Sequence, residues 1–213
     1  MTRPLVITDC DEVLMHMVVP FAEWVDAEHG VIFRIEDASF AGALKRKECG
    51  TPLEAAEVWP LLDGFFRTEM GRQYPIAGAL EAMAAIGAQA DIVVLTNVGP
   101  DHQQRRADQL AALGLDAPVI GSRGGKGEPV ARLIAEREPP VAIFIDDIAN
   151  HHRSVADEAP GVWRLHMVGE PAIADKIVAA SHAHARIDDW TAARDWILAR
   201  IAEGVRAPEP ALA

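Results

Sequence analysis

The sequence predicts an α/β fold, an open and mainly parallel sheet flanked by helices and interrupted once by a helical insert. Three observations carry this expectation. Short apolar, β-branched runs recur along the chain; helical patterns alternate with most of them; and residues 15–74 break the alternation. Runs of that kind read as strands buried on both faces, as in parallel sheets. Strands alternating with helices imply right-handed crossovers between parallel neighbours.

Taken in order, Leu5-Val6-Ile7-Thr8 is the first such run and ends abruptly in Asp9-Cys10-Asp11. From about Leu14 to Tyr74 no buried-strand run is evident. Helical stretches near 18–29 and 52–70 hold Trp24, Trp59, Phe65 and Phe66, and the basic run Lys45-Arg46-Lys47 lies between them. Leu80, Met83 and Ala84 then share a helical face, and Gly87 is placed to stop that helix. A strand follows at Ile92-Val93-Val94-Leu95. The next helix carries Leu110 and Leu113 before Gly114, and a strand follows at Pro118-Val119-Ile120. Pro129 marks a helix start ahead of Val130, Leu133 and Ile134. The fourth strong run is Val141-Ala142-Ile143-Phe144-Ile145, and a weaker one is Val162-Trp163-Arg164-Leu165. The expected division is a core of residues 1–14 and 75–203, an insert at 15–74, and a loose tail at 204–213.

Bulk properties narrow the function. The chain has 213 residues, of which 50% are hydrophobic, enough for a real core. Its net charge of -12, from 20 basic and 32 acidic residues, disfavours nucleic acid and anionic lipid as partners. No apolar run approaches a membrane span, and the N-terminus lacks a signal-peptide pattern. Cys10 and Cys49 are too few for a disulfide framework, so a cytoplasmic setting is expected. Oligomeric state is not legible.

In open parallel sheets, ligands bind beyond the carboxyl ends of the strands. Those ends carry Asp9 and Asp11, then Thr96-Asn97, then a glycine-rich loop with Lys126, then Asp146-Asp147. Crowded carboxylates repel one another unless a hard cation joins them, and magnesium favours such oxygen donors. A carboxylate can attack phosphorus, dividing a hard hydrolysis into two easier steps. Hydroxyl, amide and ammonium groups would then hold the phosphoryl oxygens.

Asp9-Cys10-Asp11-Glu12-Val13 resembles the first motif of the haloacid dehalogenase-like superfamily. Thr96 is similar to its second motif, Lys126 to its third and Asp146-Asp147 to its fourth. The resemblance covers roughly residues 4–14 and 76–200. It implies a Rossmann-like core with residues 15–74 as a helical cap, and a magnesium-dependent phosphohydrolase acting on a small phosphate ester. Asp9 is then implied as nucleophile and metal ligand. Asp11 is implied as general acid and base, with its backbone carbonyl on the metal. Thr96, Asn97 and Lys126 would bind the phosphoryl group, Asp146 would complete the metal ligands, and Asp147 would act directly or through water. The presence of Asp11 disfavours the dehalogenase branch. A non-catalytic phospholigand-binding domain and a phosphotransferase to an acceptor other than water are the alternatives.

Two positions depart from the family pattern. Glu12 stands where many phosphatases carry glycine, and either narrows substrate choice or faces solvent. His151-His152 follows the fourth motif; adjacent helical side chains diverge by about 100°, which argues against a shared metal ion. Blander roles are expected elsewhere: surface or packing for His16, a small buried residue for Cys10, cap packing for the aromatics, and a solvated face for Lys45-Arg46-Lys47.

Overall fold

The computed structural model describes residues 2–34 and 41–208. Its core strands are β1 (Leu5–Thr8), β4 (Asp91–Thr96), β5 (Val119–Gly121), β6 (Ala142–Asp146), β7 (Trp163–His166) and β8 (Ala185–Arg186). They form one parallel sheet in the order β5-β4-β1-β6-β7-β8. The chain winds outward from β1 through β4 to β5, then crosses back to β6 on the other side of β1. That reversal places a crevice at the carboxyl end of β1, where open sheets bind ligands.

Alternation along the strands divides the core. Val6, Val94, Ile143, Ile145 and Leu165 face α3 (Ala79–Gly87) and α8 (Trp190–Glu203). Leu5, Ile7, Val93, Leu95 and Phe144 face the other way, toward α5 (Gly127–Arg137) and α6 (Ala149–Glu158). Both layers are therefore apolar, which is why these strands read as continuous hydrophobic runs. Each buried aliphatic side chain contributes about 1.5–3 kcal/mol. α4 (Gln103–Ala112) and the short α7 (Pro171–Ala174) complete the helices of the core.

The insert packs on its own cluster. α1 (Val18–His29) and α2 (Ala55–Thr68) bury Phe21, Trp24, Val25, Val58, Phe65 and Phe66, with Phe21 and Phe65 edge to face at 5.5 Å. Val98, Val168 and Ile173 extend this cluster from the core side. The insert also holds an antiparallel ribbon of β2 (Val31–Phe33) and β3 (Leu44–Arg46), which the sequence pattern did not suggest. Its strands are too short to show a period, and β3 carries part of the basic run. Arg46 and Lys47 form surface pairs with Glu57 and Asp26.

Several smaller expectations need correction. Helix α3 buries Ala79, Ala82, Met83 and Ile86, so Ala84 faces solvent and Leu80 is half-buried. Leu113, just past α4, is exposed, and so is Trp59. Within residues 205–208, Val205 O accepts from Trp163 Nε1, and Ala207 N donates to Gly161 O. Residues 209–213 lie outside the described residues.

Candidate active site

β1 delivers Asp9 directly to the sheet rim. Its N–H donates to Ile145 O at 2.8 Å, continuing the ladder with β6, and its Oδ1 accepts from Cys10 N at 2.7 Å. β6 ends in Asp146, whose Oδ1 accepts from Ile148 N at 2.8 Å. Between the two acids stands Lys126, immediately before α5. Its Nζ lies 2.9 Å from Asp9 Oδ2 and 2.7 Å from Asp146 Oδ2. Lys126 and Asp146 are fully buried, and Asp9 nearly so. Sequence reading put Lys126 on the substrate phosphate; here it bridges two acids.

That bridge depends on close packing behind it. A Cβ at Gly127 would fall 2.2 Å from Ser154 O, so only glycine lets the start of α5 approach α6 this closely. Ser154 Oγ also accepts from Gly127 N at 2.9 Å.

Asp147 joins this pair. One carboxylate oxygen from each of Asp9, Asp146 and Asp147 lies within 4.8 Å of the others. Burial pushes the Asp9 carboxyl up; Lys126 opposes the rise and Asp146 adds to it. Asp147 is pushed well above the usual range by burial and then by Asp146 and Asp9. The two carboxylates in turn hold Lys126 charged despite its burial. Three carboxylates facing one ammonium leave negative charge uncompensated. An all-oxygen donor set of that charge fits a hard divalent cation.

Thr96, the last residue of β4, offers a second group that could meet a ligand. It is fully buried, and its Oγ1 has no hydrogen-bond partner among the described residues. Buried hydroxyls are rarely left unpaired, so this one calls for an explanation, and a ligand oxygen supplies it. Asn97 is exposed and braces the loop after β5. Its Nδ2 donates to Gly124 O at 3.1 Å, and its Oδ1 accepts from Ser122 Oγ at 3.0 Å.

Asp11 faces elsewhere. Its Oδ1 accepts from Arg106 Nη2 at 2.8 Å and Gln73 Nε2 at 2.7 Å, and its carboxylate is not in the Asp9–Asp146–Asp147 group. Burial pushes its carboxyl up, Arg106 pulls it back, and Asp9 adds to the rise. Arg106 and Gln73 were missed from sequence. A signal existed, since Arg106 sits four residues before Leu110 on the inner face of α4, where an apolar residue belongs.

Glu12 does not face solvent, one of the two expectations made for it. It is buried at φ 59°, and its Oε1 accepts from Met17 N at 2.8 Å and Val18 N at 2.5 Å. It thus satisfies the first amides of α1, a helix without a capping side chain at Met17 itself. Burial raises its carboxyl to about 7. His16 Nδ1 pairs with Glu170 Oε2 at 2.6 Å, and its ring packs on Tyr74.

The histidines brace the fourth motif from below. His152 is fully buried, with Nε2 2.9 Å from Asp146 O, and burial lowers it to about 3, so the ring is neutral and donates. His166, unnoticed in the sequence, repeats the arrangement: Nδ1 accepts from Ala180 N, so Nε2 donates to Asp147 O at 2.9 Å. His151 Nε2 lies 3.4 Å from Asn97 Nδ2. Cys10 points into the hydrophobic core, and burial pushes its thiol up, away from redox chemistry.

No protein-family model matches the sequence, and no curated protein does either. Solved structures do resemble it. A haloacid dehalogenase-like family hydrolase from Xanthomonas campestris aligns over 95% of this chain and 98% of its own, at 18% identity and TM-score 0.57. A haloacid dehalogenase-like hydrolase from Streptococcus pneumoniae covers 90% of this chain and 97% of its own, at 12% identity and TM-score 0.62. A provisionally named phosphoglycolate phosphatase from Lactobacillus delbrueckii covers 92% and 99%, at 13% identity and TM-score 0.63. The chain therefore has the fold of the haloacid dehalogenase-like hydrolases.

Proposed function

We propose that the protein is a magnesium-dependent phosphohydrolase acting on a small phosphate ester through an aspartyl-phosphate intermediate on Asp9. The observation that carries this reading is the buried Asp9–Lys126–Asp146 bridge with Asp147 beside it, at the crevice where β1 and β6 end. The names of the structural neighbours agree with a hydrolase.

Asp9, Asp146 and Asp147 would hold the metal together with the backbone carbonyl of Asp11. When bound, magnesium would shield the anionic phosphate from the anionic nucleophile. Asp9 attacks phosphorus, and the bond to the leaving oxygen breaks. That oxygen takes the bonding pair and a proton from Asp11. Water then attacks the acyl phosphate, giving a proton back to Asp11 and releasing the Asp9 carboxylate with inorganic phosphate. Lys126 fixes Asp9 in place and limits its repulsion from Asp146. The Thr96 hydroxyl and the Asn97 amide are assigned to the phosphoryl oxygens. Residues 15–74 act as the cap that excludes water and selects the substrate. A cytoplasmic setting fits the two unpaired cysteines.

A panel of phosphate esters including phosphoglycolate, assayed with magnesium and again with excess chelator, tests the reading. Magnesium-dependent phosphate release is expected, and Asp9→Asn should abolish it while keeping the fold. No release from any ester, or release unaffected by chelator, would count against it.

A further inference from the structure

Arg106 lies on the inner face of α4, and none of its side chain reaches solvent. A buried guanidinium is a poor stabiliser. Its desolvation offsets much of the attraction to a partner, and a packed apolar side chain serves as well or better. Here Nε even lacks a partner among the described residues. Stability alone therefore does not account for an arginine at this position.

What Arg106 touches does account for it. Nη2 donates to Asp11 Oδ1 at 2.8 Å, the oxygen that also accepts from Gln73 Nε2 at 2.7 Å. Both donors converge on Oδ1, which leaves Oδ2 to exchange a proton. Arg106 is itself held from the insert side. Its guanidinium sits 5.6 Å from the Phe66 ring centroid of α2, and its Nη1 donates to Gln109 Oε1 at 3.0 Å. Gln109 Nε2 in turn donates to Met70 O at 2.7 Å, just beyond α2. Gln73 lies on the return from insert to core, and its Nε2 also reaches His16 O, on the outgoing linker, at 3.3 Å.

We propose that Arg106, with Gln73, is a positioning residue that fixes the Asp11 carboxyl and makes its placement depend on the seating of the insert. The inference rests on the hydrolase reading above. As the bond from phosphorus to the leaving group breaks, the leaving oxygen takes the proton from Asp11 Oδ2. When water attacks the acyl phosphate, Oδ2 takes one water proton. Both transfers need Oδ2 in a fixed place, and neither needs Arg106 to touch substrate.

Leaving-group dependence tests this. Dinitrophenyl phosphate departs without a proton, whereas an alkyl phosphate such as phosphoglycolate needs one. Arg106→Met should lower kcat/KM, which covers the steps through leaving-group departure, by about 10²-fold or more on the alkyl ester and by about tenfold or less on the dinitrophenyl ester; kcat, which includes the acyl-phosphate hydrolysis common to both, should fall on each. Arg106→Lys should recover part of the alkyl-ester loss. On the alkyl ester, Asp11→Asn combined with Arg106→Met should be no slower than Asp11→Asn alone, because the effect runs through Asp11. Equal losses of kcat/KM on the two esters, or losses that multiply in the double variant, would overturn the proposal. Should Arg106→Met lose its near-UV circular dichroism, Gln73→Leu carries the same comparison, since it removes a donor to Oδ1 without altering a buried charge. Wild-type protein that turns over neither ester with magnesium would remove the hydrolase reading, a failure distinct from a wrong leaving-group pattern in an active enzyme.

Discussion

Replacing Lys126 with methionine should expose the electrostatic frustration built into this site. The ammonium is fully buried and sits 2.9 Å and 2.7 Å from two carboxylates, so its removal leaves Asp9 and Asp146 buried without a countercharge. Taking one partner from a buried ion pair costs about 3–5 kcal/mol. In a chain of this length each kcal/mol shifts Tm by about 2–4 °C, so Tm in chelator should fall by about 6–20 °C. Magnesium at 100 times its Kd adds about 2.7 kcal/mol to any protein that binds it in the folded state alone. The variant no longer has an ammonium competing for Asp9 Oδ2 and Asp146 Oδ2. Its Tm should therefore rise more with magnesium than the wild-type Tm does. The Tm deficit in chelator should also shrink as pH falls from 8 toward 5, because protonation relieves carboxylates that have lost their partner. Differential scanning calorimetry of both proteins, with chelator and with magnesium, measures each quantity. A Tm in chelator within about 2 °C of wild type, or an equal magnesium response in the two proteins, would refute this reasoning.

Three further perturbations have expected outcomes. Glu12 has an ordinary value of 4.5 and is raised to about 7 in the fold, so its stabilising contribution is complete below about pH 4.5 and lost as pH rises through 7. Relative to Glu12→Gln, metal-free wild type should lose on the order of 3 kcal/mol across that window; a Tm difference that stays flat with pH would contradict the assignment. Gly127→Ala places a Cβ 2.2 Å from Ser154 O, and overpacking of this kind costs about 1–3 kcal/mol, readable as a lower Tm together with weaker phosphatase activity. An unchanged melt would mean that α5 and α6 separate more easily than their packing implies. Asp11→Asn should lower kcat on an alkyl phosphate by about 10²–10⁴-fold with little effect on KM; a loss confined to KM would reassign Asp11 to binding.

The core was legible because parallel strands buried on both faces leave unbroken apolar runs. Leu5–Thr8 matches the structure residue for residue, the run at 92–95 is extended by one residue at each end, and the runs at 118–120, 141–145 and 162–165 are each displaced by one residue. The ribbon of β2 and β3 was invisible because three-residue strands show no period, and β8, with two residues, shows even less. Helix faces were harder. Ala84 looked apolar and proved exposed, since alanine marks neither face strongly. Among the site residues, Asp9, Lys126, Asp146 and Asp147 come together because each ends a strand or follows one on the same rim. Arg106, Gln73 and His166 were not foreseen: an arginine at an apolar position of α4 was the one signal, and only tertiary packing brings the three to an acid or its carbonyl. Glu12 shows the opposite difficulty. Its departure from glycine was visible, but its task, accepting the first amides of α1, depends on a turn at positive φ that sequence spacing does not reveal.

On the proposed mechanism, Asp9 carries the phosphoryl group between substrate and water. Mass spectrometry of enzyme quenched in acid during turnover of an ester from the panel, followed by peptide mapping, tests it most directly. A phosphoryl adduct on Asp9, formed within the first turnover and absent from Asp9→Asn, is the expected result. Magnesium-dependent turnover with no adduct on Asp9, or with an adduct on another residue, would contradict it.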